Sequence, residues 1–166
     1  MNTKSINIKN NSQSLKILKK FKNKNYGGID IKIENLYLKK LNDLTRKKIF
    51  NKNDAYISAE TLWSIMQEEP GEDIHHHHGL KENDILNGLR SITNPHLIIQ
   101  AEFNRYLIVS LFISSFGLPL MIVVEINAVL RKDSKANVNK IVTIYPKDDI
   151  QGLMAKTPKS QLLYKK

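Results

Sequence analysis

Leu107 to Val124 is a run without a single charged side chain. It is just long enough to cross a bilayer as a helix, so it decides between a membrane protein and a sheet. Two features favour the sheet. Ser114-Ser115-Phe116-Gly117-Leu118-Pro119 sets turn-forming residues in the middle of the run, and Leu107, Val109, Leu111 and Ile113 alternate with Ile108, Ser110, Phe112 and Ser114 before it. Period-two alternation followed by Gly and Pro describes two paired strands joined by a turn. The run is therefore expected to be a hairpin.

Leu120–Ile126 supplies the second strand of that hairpin, and similar short apolar runs flank it at Leu97–Ile99 and Ile141–Ile144. The preceding pattern is helical. Ser58 is placed to cap a helix carrying Leu62, Ile65 and Met66 on one face, with Glu60 in its first turn; Pro70-Gly71 ends it. Asp84 opens a second helix carrying Ile85, Leu86, Leu89 and Ile92, which Asn94-Pro95 stops. The expected class is α+β, with N-terminal helices packed on a twisted, mostly antiparallel sheet of about four strands.

Three segments are expected. Residues 1–25 read as a basic low-complexity arm, in which Leu15, Ile17, Leu18 and Phe21 make at most a short amphipathic helix. Residues 26–53 read as a basic extension, with a strand through Ile29, Ile31 and Ile33 and a helix through Leu36, Leu38, Leu41 and Leu44. Residues 54–166 hold the main domain. No cysteine is present, which removes disulfides, thiolate metal sites and thiol nucleophiles and suits a reducing compartment. The N-terminus has no apolar central region of the signal-peptide kind. A cytoplasmic protein with no membrane partner is expected, acting where it is made or in a cell that receives it.

Charge is strongly segregated. Residues 1–53 carry 14 Lys/Arg against 3 Asp/Glu, residues 54–102 carry 2 against 9, and residues 103–166 carry 10 against 4. Two basic blocks around an acidic one point to a polyanionic partner such as RNA. The expected contacts are Lys19, Lys20, Lys22, Lys47, Lys48 and Lys140.

Four of the five histidines stand together at His75 to His78. Their spacing fits neither a His-Glu-x-x-His site nor any cysteine-bearing zinc pattern, so no metal or other cofactor is expected, although binding of metal through this run stays open as an alternative. Imidazole also serves as general base and acid. Cleavage of RNA by its own 2′-hydroxyl needs a proton acceptor, a proton donor and groups that hold charge on the phosphorane, and it needs no metal.

The ordered set Tyr56-Ile57-Ser58-x-x-Thr61-Leu62, His77-His78-Gly79-Leu80, Asp84-Ile85, Ile92-x-Asn94-Pro95, Arg105-Tyr106-Leu107-Ile108-Val109, Gly117-Leu118-Pro119, Val123-Val124-Glu125 and Ile141-Val142-Thr143-Ile144-Tyr145 resembles the phage-type nucleases of the barnase/EndoU/colicin/RelE-like (BECR) superfamily. The resemblance implies a metal-independent endoribonuclease, a toxin or effector of a phage or mobile element. It places acid/base chemistry on His77 and His78, a phosphate clamp on Arg105, and donors to phosphate oxygens on Thr143 and Tyr145. RNA, transfer RNA included, would be the substrate, and an acidic antitoxin or immunity protein the protein partner. A module of the same fold that binds nucleic acid or protein without chemistry is the alternative.

Overall fold

A computed structural model describes residues 4–22, 28–68, 78–130, 133–134 and 136–166. The central run folds as the alternation requires. β5 (Arg105–Ile113) and β6 (Pro119–Val129) are antiparallel, with Arg105 opposite Glu125 and Val109 opposite Met121. Backbone bonds from Ser114 N–H to Leu118 O (2.8 Å) and from Gly117 N–H to Ser114 O (2.9 Å) close the turn between them. No described helix is long and apolar enough to cross a membrane.

The hairpin sits inside a larger sheet than the sequence suggests. β4 (Pro95–Gln100) and β7 (Asn137–Pro146) flank it, which accounts for the four strands legible from apolar runs. Four more join them: β1 (Ser5–Asn7), β2 (Asp30–Glu34), β3 (Ala55–Ser58) and β8 (Leu162–Lys165). The order is β1-β2-β3-β7-β6-β5-β4-β8. β1 pairs parallel to β2, and β3 parallel to β7, so the sheet is mixed. This corrects the expectation of about four mostly antiparallel strands. The added strands are three to five residues long, too short for alternation to announce most of them.

Alternating side chains divide the sheet into two faces. Ile31, Ile57, Ile108, Ile122, Val124, Ile141 and Ile144 point to one face and are buried beneath three helices, α1 (Asn11–Lys22), α3 (Ala59–Met66) and α4 (Glu82–Ser91). Leu97, Val109 and Met121 point to the other, where α5 (Ile150–Lys156) covers them with Ile150, Leu153 and Met154. A 3₁₀ turn at Leu38–Lys40 runs into the short helix α2 (Leu41–Thr45), and the chain after it brings the Phe50 ring to 5.0 Å from that of Tyr106.

Local signals set the helix ends. Ser58 Oγ accepts the Thr61 N–H at 3.1 Å as N-cap of α3. On α4, Asp84 accepts the Lys81 N–H at 3.2 Å and so satisfies a donor the helix itself leaves open. Gly88 lets α4 lie close on the sheet, since a Cβ there would stand 3.1 Å from Leu120 Cδ1.

The N-terminal segment is integral to this core. Residues 5–7 and 11–22 form β1 and α1, joined to β2 as a parallel strand-helix-strand unit, with Ile6, Leu18 and Phe21 fully buried. At about 1.5–3 kcal/mol for each large apolar side chain removed from water, these three outweigh the cost of leaving a Lys-rich surface on the opposite side. Arg90 of α4 holds the segment in place by donating to Ile8 O at 2.5 Å and to Asn11 Oδ1.

Candidate functional site

The strands running toward Ile113, Pro146 and Ser58 end on the same side of the sheet, and α4 begins there. Asp84, 4 % exposed, binds the β5–β6 turn through Ser115 N–H (2.9 Å) and Ser115 Oγ–H (2.6 Å). Two backbone bonds then pin the chain entering α4 to the chain leaving α3: Gly79 N–H to Gln67 O at 2.7 Å and Leu80 N–H to Ile65 O at 2.9 Å. Gly79 has φ +58°, a left-handed conformation that costs a side-chain-bearing residue about 1–2 kcal/mol, and it lies against Phe116 of the turn. These anchors fix the position of His78.

His78 is half-buried, and its imidazole meets the phenol ring of Tyr145 with centroids 5.5 Å apart and planes tilted by 35°. Tyr145 stands near the end of β7, opposite Met121, and its hydroxyl donates to Met121 Sδ at 3.2 Å. A thioether is a weak acceptor, so the hydroxyl is available to a stronger one. Thr143 lies two residues earlier on β7, opposite Val123 and half-buried, and therefore on the same face. His75, His76 and His77 lie outside the described residues. Among the described residues no group of three His, Cys, Asp or Glu is placed to hold a metal ion.

Burial pushes the Tyr145 phenol above its ordinary pKa, and it does the same to Tyr106. Tyr145 therefore stays protonated at neutral pH and acts as a hydrogen-bond donor. A stability effect follows. Both phenols resist ionisation more in the folded than in the unfolded chain, so their contribution is complete below the unfolded value near 10 and is lost as pH rises through the folded values. Urea unfolding from pH 9 to 11.5 is expected to show falling stability over that window, and a shallower fall in Tyr145→Phe.

Arg105 does not join this group. It opens β5 at the far end of the sheet, where its Nε donates to Glu125 Oε2 at 2.9 Å. Glu125 is four positions along β6 from Met121, the partner of Tyr145, which is about 13 Å along the strand before the sideways step across two strands is added. A single phosphate cannot span that distance.

The lysines expected to meet RNA fall in three places. Lys19, Lys20 and Lys22 are exposed on the last turn of α1, where cations suit the negative helix end. This turn adjoins the histidine segment: Gln67 Nε2–H donates to Lys22 O at 2.9 Å, while Gln67 O receives the Gly79 N–H. Lys140 lies on the outer face of β7 between Tyr56 and Glu125. Lys47 and Lys48 are exposed after α2, beyond the opposite end of the sheet. The last turn of α1 is thus tied to the chain entering α4 through Gln67, while the α1 helix itself packs on the face of the sheet opposite to Tyr145. Only the fold reveals it, because Lys22 and Gln67 are 45 positions apart.

A family model for the phage MuF C-terminal domain matches residues 71–166. That span runs from the histidine segment through β8 and contains His78, Arg105, Thr143 and Tyr145, whereas β1 to α3 precede it. Comparison with curated proteins and with solved structures found no match. The resemblance to BECR nucleases is corrected on two grounds: the matching family is a different one, and the described residues fold as an eight-stranded mixed sheet with five helices.

Proposed function

This chain belongs to the phage MuF C-terminal domain family, and from that premise we propose that it acts as an RNA-cleaving domain of a phage-associated protein. The observation that carries the reading is the His78–Tyr145 pair, an imidazole against a phenol that stays protonated. In the proposed reaction His78 takes the proton of a ribose 2′-hydroxyl. The freed oxygen attacks the neighbouring phosphorus, the 5′-oxygen leaves with a proton from His77, and a 2′,3′-cyclic phosphate remains. The hydroxyls of Tyr145 and Thr143 donate to the phosphorane oxygens, where donors fixed before the reaction act most strongly. Lys19, Lys20 and Lys22 draw the polyanion to this end of the sheet.

Incubation of the folded protein with total RNA in EDTA tests this. Fragments ending in cyclic phosphate are expected, and intact RNA would remove cleavage from the account. A second reading, RNA binding without cleavage, draws on Arg105, whose guanidinium is held by Glu125 away from the pair. RNA retained but uncut would select it. If the domain is a toxin, its inhibitor would be an acidic protein that covers the α1 lysines, and co-expression of such a protein should suppress toxicity.

A further inference from the structure

Beyond the other end of the sheet the chain forms a second feature that the proposed reaction does not use. The 3₁₀ turn and α2 make one wall of a groove of about 720 Å³, and residues 48–53 make the other. Leu38 and Phe50, both buried, line its depth. Asn42 staples the walls together, accepting the Phe50 N–H at 2.8 Å and donating to Phe50 O at 2.7 Å, so the groove does not depend on a ligand for its shape. Lys39, Lys40, Lys48 and Lys52 line it, all exposed, against one carboxylate, Asp43.

Tyr37 stands at its edge. It is 55 % exposed, and Lys40 Nζ lies 5.7 Å from the centroid of its ring. Tyr37 and Lys52 also border a smaller hollow of about 330 Å³ on the other side. An exposed aromatic at the edge of a groove lined by lysines combines the two elements that bind a single nucleic-acid strand: a flat surface for a base and cations for its phosphates. A duplex keeps its bases stacked on one another and has none to offer Tyr37.

We infer that the Tyr37 groove is a binding site for single-stranded RNA, separate from the His78 site, with Tyr37 stacking a base and Lys39, Lys40, Lys48 and Lys52 holding the backbone. It rests on RNA being the polyanion that this chain engages, and it does not require cleavage. The site lies in the part of the chain that precedes the family match, so it extends the matched domain with a second hold on the strand. Lys140, opposite Tyr56 on the outer face, lies on the sheet between the two ends.

The test uses the full chain with His78→Ala, so that RNA stays uncut, and measures affinity for a labelled single-stranded RNA 12-mer by fluorescence anisotropy. Tyr37→Ala is expected to weaken binding about 5- to 100-fold, the range for loss of one base–aromatic stack, while Tyr37→Phe retains it. A Lys39→Ala/Lys40→Ala variant should reduce the slope of log affinity against log salt by about 1.4, at about 0.7 for each phosphate contact on a single strand. Affinity for the same RNA as a duplex should not respond to Tyr37→Ala. Unchanged 12-mer binding in Tyr37→Ala overturns the site, as does an equal loss on the duplex or failure of the parent chain to bind RNA at low salt. RNA bound through Tyr37 but left uncut by the natural sequence would sink the cleavage reading and leave this one standing.

Discussion

His78→Ala is expected to lower RNA cleavage by about 100- to 10,000-fold, the range that a positioned acid or base contributes. The protein should remain folded, because the ring is only half-buried and its contact with Tyr145 is worth about 1 kcal/mol. Far-UV circular dichroism and the melting temperature separate the two effects. His78→Gln, which keeps the bulk and some polarity but cannot exchange a proton near neutrality, should be as inactive as the Ala variant. Cleavage unchanged in both would move the chemistry away from this end of the sheet.

Asp84→Ala is expected to produce a large loss of stability. This carboxylate is 4 % exposed and accepts three hydrogen bonds, from Lys81 N–H, Ser115 N–H and Ser115 Oγ–H. Its removal uncaps α4 and leaves the Ser115 N–H without its partner, at a cost of about 3 kcal/mol for charged hydrogen bonds lost in a buried place. For a chain of this size that corresponds to a fall of about 6–12 °C in melting temperature. Asp84→Asn retains one oxygen acceptor and should lose about half as much. Because Asp84 ties α4 to the turn against which Gly79 rests, both variants should also lose cleavage more steeply than stability alone accounts for.

The fold was legible where the determinants were local. The cap at Ser58, the helix start near Asp84 and the turn in the uncharged run each rest on residues within a few positions of one another, and all three are present in the structure. β1, β3 and β8 were not legible as strands. Each is three or four residues long, and each is held by a partner far along the chain, as Ala55 is by Asn139 and Lys165 by Leu97. The helical spacing of Leu15, Leu18 and Phe21 was visible as well, but the lysines around them suggested a solvated arm. Those lysines face outward while Leu18 and Phe21 pack inward, and that division is a tertiary outcome.

The site shows the same contrast. The sequence nominated His78, Tyr145, Thr143 and Arg105 by residue type, and strand register alone then separates Arg105 from the rest by pairing it with Glu125. Tyr37 carried a local signal, an aromatic between leucines just before Lys39-Lys40, yet its exposure depends on the groove walls and could not be read in advance.

The central claim is that His78 and Tyr145 work as one unit on one phosphate, and a double-mutant cycle on RNA cleavage tests it most directly. His78→Ala, Tyr145→Phe and the double variant are assayed in EDTA against one RNA. If the two side chains serve the same step, Tyr145→Phe alone lowers the rate about 100-fold, as loss of one fixed donor does, and adds almost nothing once His78 is gone. Losses that multiply in full in the double variant would contradict the account, because they would mean that the two rings act independently.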